Sequence, residues 1–433
     1  MLPDLICAPA TPLLPSAVAV LRISGPNLGR HLAPLLSLPQ PRVASLRQLC
    51  WDGFREKALV LYFPGPASYT GEDLVELQVH GNPLLVRRLL DHLGHLGIRL
   101  AEPGEFTRRA LLNGKQGLLE AEALRDLVAA ETDTQVRLAQ ARARAQPAWI
   151  QETQEALAPW MARAEAAVDY GEEEGILLNI GYLSTCLIPL RARFHVEQSR
   201  ARAAHHLREG LRLVLVGRPN AGKSTLFNAL AGEDRAIVTE LPGTTRDVLE
   251  VRCEWRGLPL RLFDTAGLRE ATEPVERLGV ARVAPLLAAA DLILHLIPAM
   301  DGSADMRILE VLTPFMAKVL EVRTFGDQAQ PEGTLISALK GELNALETAL
   351  KERLLGGLAP ESCLGALATE RQLGLLDDLV IQLDLLTELP VGCPPELPAS
   401  LLQGAWGLLA RLTGDDRADS ALDALFSGFC LGK

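Results

Sequence analysis

The plainest chemistry in the chain is carried by Gly217-Arg218-Pro219-Asn220-Ala221-Gly222-Lys223-Ser224-Thr225, which follows the largely apolar run Leu211–Val216 and leads into the helix-prone Leu226-Phe227-Asn228-Ala229-Leu230. The pattern G-x-x-x-x-G-K-[ST] between a strand and a helix reads as a phosphate-binding loop. Its glycines let the chain curl so that successive N–H groups and a helix N-terminus converge on one anion. Lys223 would then reach the β/γ-phosphates and Ser224 would ligate Mg²⁺.

Two further segments lie downstream in the order such a site needs: Gly243-Thr244-Thr245-Arg246-Asp247, and Asp264-Thr265-Ala266-Gly267 at the end of an apolar strand. An aspartate there can hold Mg²⁺ through water, the Gly267 N–H can sense a γ-phosphate, and a threonine hydroxyl from a loop completes the metal shell. The set predicts a nucleoside triphosphate hydrolase switch. Guanine selectivity asks for Asn-Lys-x-Asp after a later strand, and the chain has Thr324-Phe325-Gly326-Asp327 there. Asp327 alone fits. Phe325 could cover the base and Thr324 could donate a hydrogen bond in place of asparagine; on the other reading this is an ordinary loop with weakened base specificity. Ser337-Ala338-Leu339 resembles the loop that backs the guanine O6.

Those residues need a scaffold, and the flanking pattern supplies one. From Leu211 to about Leu355 strand-like runs (Leu211–Val216, Val248–Cys253, Leu258–Phe263, Leu292–Leu296, Val319–Arg323, Thr334–Ile336) alternate with helical ones, which predicts a mainly parallel sheet. Residues 1–114 alternate short β-like runs, Ala17–Ile23, Ala58–Phe63 and Leu74–Val79, with turns, and Leu84–Leu96 has helical spacing, as in a small α+β domain. Long Leu/Ala/Glu/Arg helices occupy 115–208, broken near Pro147 and Asp169–Gly175, and helical character returns over 358–433. The expected fold is therefore multi-domain, α/β and α: an N-terminal α+β domain, a helical body built from 115–208 and 358–433, and a nucleotide domain of 209–357 inserted into it.

Some charges stay ambiguous at this level. Arg22 in Val20-Leu21-Arg22-Ile23 and Glu76 in Leu74-Val75-Glu76-Leu77 belong either to a solvated strand face or to a site. Arg137, Arg142 and Arg144, Arg191 and Arg193, and Arg200 and Arg202 read as the solvated faces of helices or as contacts to RNA phosphates.

Composition bounds the class. With 433 residues the chain holds about two to four domains, and 48% hydrophobic against 4% aromatic residues means cores of Leu, Ala and Val. A net charge of −11 excludes a protein that grips nucleic acid over its whole surface; an RNA contact must be local or shared. Seven scattered cysteines without C-x-x-C spacing argue for a reducing compartment and against a zinc site, which predicts a cytoplasmic protein. The start lacks the charged and apolar regions of a signal peptide, and no apolar run nears the roughly 20 residues of a membrane helix.

Together these motifs resemble the MnmE (TrmE) family of tRNA-modifying GTPases. The likeness rests on Phe63-Pro64-Gly65-Pro66, Tyr69-Thr70-Gly71-Glu72-Asp73, Glu102-Pro103-Gly104-Glu105-Phe106-Thr107-Arg108-Arg109-Ala110, Asn113-Gly114-Lys115, the nucleotide motifs, Asp264–Glu270 and the closing Cys430-Leu431-Gly432-Lys433. It implies a tetrahydrofolate-binding, dimerising domain at 1–114, a helical domain, and an inserted G domain. It also implies a homodimer that works with the flavoprotein MnmG, which carries FAD, on C5 of the wobble uridine of tRNA. A folate one-carbon unit, as 5-formyl- or 5,10-methylene-tetrahydrofolate, and GTP hydrolysis serve that reaction.

The resemblance further implies folate contacts at Arg22, Glu76, Lys115 and Lys433, and a terminal Cys430 that is either catalytic or structural. The implied GTP contacts are Asn220, Ala221, Gly222, Lys223, Ser224, Thr225, Thr239, Thr244, Thr245, Asp264, Thr265, Ala266, Gly267, Asp327, Ser337 and Ala338. Mg²⁺ would sit on Ser224 and Thr245, and K⁺ on Asn220, Thr239, Leu241 and Thr244 in place of an arginine finger, with Glu276 orienting the attacking water. The chain departs from the family at Pro12–Ala17, at Gln116-Gly117 and at Thr324–Asp327.

Overall fold

The structure, a computed structural model, describes residues 4–144, 146–174, 178–232, 237–240, 249–264, 284–299, 305–325, 334, 336–338, 340–415 and 432, with the backbone alone at 170–174, 237–240, 249 and 264. Met1–Arg125 with Ala410–Lys433 form one compact unit and Asp126–Leu409 a second.

In the first unit, strands β1 (Leu5–Pro9), β2 (Ser16–Ser24), β3 (Ser45–Trp51), β4 (Phe54–Phe63), β5 (Leu74–Gly81) and β6 (Ile98–Leu100) make a six-stranded sheet of order β3-β4-β5-β2-β1-β6. Its pairings are antiparallel except β1 with β6. Asp52-Gly53, with φ of 42° and 82°, closes the β3–β4 hairpin, because two left-handed residues match the twist of the flanking strands. The helix Pro83–His95 begins on Asn82, whose side-chain oxygen accepts from the N–H groups of Leu84 and Leu85 (2.9 and 3.3 Å), with proline in the first turn. Val86, Leu89 and Leu93 recur at helical spacing and bury against Leu21, Ile23 and Leu77 of the sheet. β2, β4 and β5 match expected runs. β1, β3 and β6 were not expected: they are short, and charged or proline residues interrupt their apolar pattern.

In the second unit, β7 (Leu211–Gly217), β8 (Ile237–Glu240), β9 (Leu249–Trp255), β10 (Leu258–Asp264), β11 (Leu292–Pro298) and β12 (Val319–Thr324) form a sheet of order β12-β11-β7-β10-β9-β8. β12, β11, β7 and β10 are parallel, and their buried Leu, Val and Ile runs suit a sheet covered on both faces. β9 corrects the parallel expectation for Val248–Cys253. It runs antiparallel to β10, because the tight Arg256-Gly257 turn leaves no room for a crossover helix, and it also pairs antiparallel with β8. Thr334 and Ile336 follow β12 through backbone bonds with Arg323 (3.0 and 2.9 Å).

The helices Ala148–Glu174, Ile180–Glu209 and Glu370–Thr387 stand together in the second unit. Phe194 meets Trp149 edge-on with ring centroids 5.1 Å apart. Ser184 donates to the Thr387 carbonyl (2.7 Å) and Gln198 to Asp377 (2.6 Å), so the helices before and after the nucleotide domain lie antiparallel. Five of the clustered arginines have carboxylate partners here: Arg191 with Asp384, Arg193 with Glu152, Arg200 with Glu197 and Arg202 with Asp377 pair on exposed or half-exposed faces, as the solvated-face reading allows, and only the buried Arg142, paired with Asp126, corrects it. Among the described residues no helix is long and apolar enough to cross a membrane.

Candidate functional site

The phosphate loop sits at the carboxyl end of β7, between its parallel neighbours β10 and β11, where open α/β sheets place ligands. Gly217 passes so close to β11 that a Cβ there would lie 2.7 Å from the Leu296 carbonyl oxygen. Asn220 (φ 60°) and Gly222 (φ 86°) take left-handed conformations, which turn the backbone N–H groups around one centre before the helix Lys223–Ala231 begins. Leu226, Phe227 and Leu230 bury the other face of that helix, so its N-terminus is fixed by packing. Lys223 is buried, and its Nζ donates to the carbonyls of Gly217 (2.8 Å) and Arg218 (2.7 Å). Ser224, Thr225 and Asn220 are exposed, so their oxygen donors are free to meet an ion or a phosphate. Asp264 ends β10 opposite Leu215 of β7, and Thr239 lies in β8 opposite Glu250, both as backbone only.

Thr324 supplies a link whose partner the sequence did not name. It is 4% exposed at the end of β12, and its hydroxyl donates to the Ala221 carbonyl of the phosphate loop at 3.0 Å. The Phe325 ring reaches to 3.9 Å from the position of a Cβ on Gly222, with Phe325 itself left-handed at φ 62°. The departure from Asn-Lys-x-Asp therefore keeps a bond from the base loop to the phosphate loop. Ile336 pairs with Arg323 next to Thr324, and Ser337 closes a turn with Glu342, which brings Ser337 and Ala338 beside the base loop. Replacing Thr324 with valine, nearly equal in volume, is expected to weaken GTP binding about fivefold to tenfold, as the loss of roughly 1 kcal/mol per hydrogen bond requires. Equilibrium titration with a fluorescent GTP analogue measures it, and unchanged binding would show the link to be idle.

Leu241, Thr244, Thr245, Thr265, Ala266, Gly267, Glu276, Asp327, Leu339, Cys430 and Lys433 lie outside the described residues.

The first unit brings together another set. Arg22 of β2 and Glu76 of β5 are register partners, half-buried, joined at 2.8 Å. The Arg22 guanidinium stands 5.7 Å from the Tyr69 ring and reaches the Gly432 carbonyl at 3.4 Å. Gly432 packs so tightly on the Pro9 carbonyl that no side chain would fit. Lys115 lies by Gly71, where a Cβ would meet its stem at 3.2 Å. The segment Tyr69–Gly71 thus has Arg22 at one end and Lys115 at the other. Pro12–Ala17 forms part of the exposed connection from β1 into β2.

Beneath that segment runs a buried polar network that sequence reasoning missed, although Glu72, Glu105 and Arg109 stood in the quoted motifs. Arg109, 1% exposed, donates to Glu72 (3.2 Å), Glu105 (2.9 Å), and the carboxylate and carbonyl of Asp4 (2.9 Å each). Ser24 joins Thr70 (2.7 Å) and Glu72 (3.1 Å), and Asn113 donates to the Thr70 carbonyl (2.7 Å). Burial pushes the carboxyls of Asp4 and Glu105 up, but bonds from Arg99 and the charge of Arg109 outweigh it and hold both below their usual range.

Known proteins match the chain over nearly its whole length. The family model described as GTP-binding protein TrmE N-terminus matches residues 5–115, and that described as MnmE helical domain matches residues 118–430. The tRNA modification GTPase MnmE of Methylorubrum populi is 42% identical, covering 99% of this chain and 98% of its own. Those of Acidiphilium cryptum and Rhizobium meliloti are each 40% identical over 99% of both chains. With both family models matched in sequence order and full-length relatives at this identity, the chain belongs to the MnmE family of tRNA modification GTPases.

Proposed function

We propose that this chain hydrolyses GTP to drive modification of C5 of the wobble uridine in tRNA, as a cytoplasmic homodimer acting with an MnmG-type flavoprotein that carries FAD. The observation that carries the reading is the phosphate loop: a buried lysine on two loop carbonyls, exposed Asn220, Ser224 and Thr225 beside it, and a base loop bonded to it through Thr324. Residues 1–114 form the folate and dimerisation domain, 209–357 the G domain, and 115–208 with 358–433 the helical body. Arg22, Glu76, Lys115 and Lys433 hold the tetrahydrofolate one-carbon donor. The residue types suit it: a carboxylate accepts from a pterin edge and cations meet a glutamate tail. The decisive experiment is mass analysis of wobble uridines in tRNA from cells lacking this chain. Modified uridine returns with a wild-type copy and stays absent with Lys223→Ala if the reading holds.

Ser224 and Thr245 hold Mg²⁺, which neutralises charge developing between the β- and γ-phosphates when bound. Asn220 supplies the amide oxygen for K⁺, and its exposed, left-handed place at the loop rim supports that role, since asparagine tolerates such a backbone while offering an oxygen. GTP hydrolysis is expected to be about tenfold faster or more in K⁺ than in Na⁺ at equal ionic strength, and Asn220→Ala to erase the difference. Equal rates in the two salts, with Asn220→Ala silent, would remove potassium from the scheme.

A second reading, a nucleotide-binding scaffold with weak base selectivity that holds folate and partner, draws on Thr324-Phe325 where the family has Asn-Lys. Binding of GTP against ATP and XTP separates the two. Tight binding of GTP alone removes the scaffold.

A further inference from the structure

The first unit holds another group of ligand-type side chains that the proposed function does not use. Asp52 lies in the turn between β3 and β4; His92 and His95, three residues apart in the last turn of the helix Pro83–His95, share one face. One ligand atom from each lies within 4.8 Å of the other two.

Each residue has an ordinary reason to be where it is. Aspartate before glycine suits the hairpin turn, and histidines suit a helix C-terminus. Neither reason brings three metal-type ligands from two elements to one point. The His92 Nδ1 is buried without a hydrogen-bond partner and stands 3.6 Å from Asp52 Oδ1. That is too long for a hydrogen bond. It is close to the roughly 3.3 Å that separates two ligands of one tetrahedral ion with bonds of about 2.0–2.1 Å.

We propose that Asp52, His92 and His95 bind a divalent first-row transition ion, zinc foremost, with a position left for water. Two imidazoles and one carboxylate match zinc's N/O preference, whereas Mg²⁺ and Ca²⁺ call for oxygen ligands. The ion staples the β3–β4 turn to the end of the helix. The scattered cysteines argued against a zinc site; that argument reaches only thiolate ligands and does not bear on histidine and aspartate ones.

The test is competition of the full-length chain with a chromophoric chelator for Zn²⁺ in excess Mg²⁺, on wild type, Asp52→Asn, and the triple variant Asp52→Asn/His92→Gln/His95→Gln. Asparagine keeps the left-handed turn, so lost binding in Asp52→Asn with an unchanged melting temperature is not misfolding. Wild type is expected to take up one equivalent with about micromolar affinity, Asp52→Asn to bind about tenfold more weakly or worse, and the triple variant to lose the site. Zinc-edge X-ray absorption should show nitrogen and oxygen neighbours with imidazole scattering. Unchanged affinity in the triple variant, no binding by wild type, or a shell containing sulfur would each overturn the proposal.

Discussion

Lys223→Ala is expected to slow GTP hydrolysis by about 10²–10³-fold while leaving the fold intact, measured as single-turnover phosphate release with circular dichroism as the control. Removal of one fixed cation or donor from a charge-developing site has that scale. Lys223 is 8% exposed at the first turn of a helix whose other face is packed, so the ammonium is held in place before any phosphate arrives. Its bonds to the carbonyls of Gly217 and Arg218, at 2.8 and 2.7 Å, are formed by a compact point charge. A planar guanidinium cannot occupy the same spot, so Lys223→Arg is expected to fail nearly as badly. Alanine in contrast favours the helix and buries no polar atom, hence the preserved fold. A hydrolysis rate within about threefold of wild type would take Lys223 out of the phosphate chemistry.

The strands and helices with strong periodicity were legible. Leu211–Val216, Leu258–Phe263 and Leu292–Leu296 became β7, β10 and β11 with shifts of a residue or two, because a run buried on both faces of a parallel sheet is mostly apolar, even with Arg212, Arg261 or His295 within it. The direction of β9 was not legible, since a strand's own pattern says nothing of which way its neighbour runs; the Arg256-Gly257 turn held that information. The phosphate loop was readable because its geometry is local: glycine, lysine and hydroxyl residues at fixed offsets on one strand-to-helix turn.

Thr324 was half readable. A hydroxyl that can donate is visible in the sequence, but its acceptor, Ala221, is far away along the chain. The partners of the clustered arginines were unreadable for the same reason. Arg191 looks solvated among its neighbours, while its partner Asp384 arrives on a helix contributed from beyond the nucleotide domain. Arg22 and Glu76 show the opposite outcome: the antiparallel register of β2 and β5 makes them direct cross-strand partners, which turns two unexplained strand charges into one ion pair.

Arg109→Met is expected to destabilise the first unit by about 3–5 kcal/mol, the scale for removing one partner from a buried ion network. The methionine fills much of the volume but leaves Glu72, whose side chain is 2% exposed, without the guanidinium that compensated it. Arg109→Lys should rescue little, because a single ammonium cannot reach Asp4, Glu72 and Glu105 together as the planar fork does. Native-state hydrogen exchange would locate the loss in β1, β2 and the helix Glu105–Leu112, with Asp126–Leu409, a separate compact unit, little affected.

The pH dependence gives a second reading of the same network. The carboxyls of Asp4 and Glu105 lie below their ordinary values of 3.8 and 4.5, so their contribution is present above those values and is lost as pH falls through the lowered ones. Wild type should therefore hold its advantage over Arg109→Met near neutral pH, and the gap should narrow in acid as both proteins lose ionised partners. Because the network lies beneath Tyr69–Gly71, the folate reading proposed above requires the variant to bind tetrahydrofolate more weakly even where it remains folded. A variant that melts within about 1 kcal/mol of wild type at neutral pH, with a gap that does not change in acid, would mean that Arg109 only fills space.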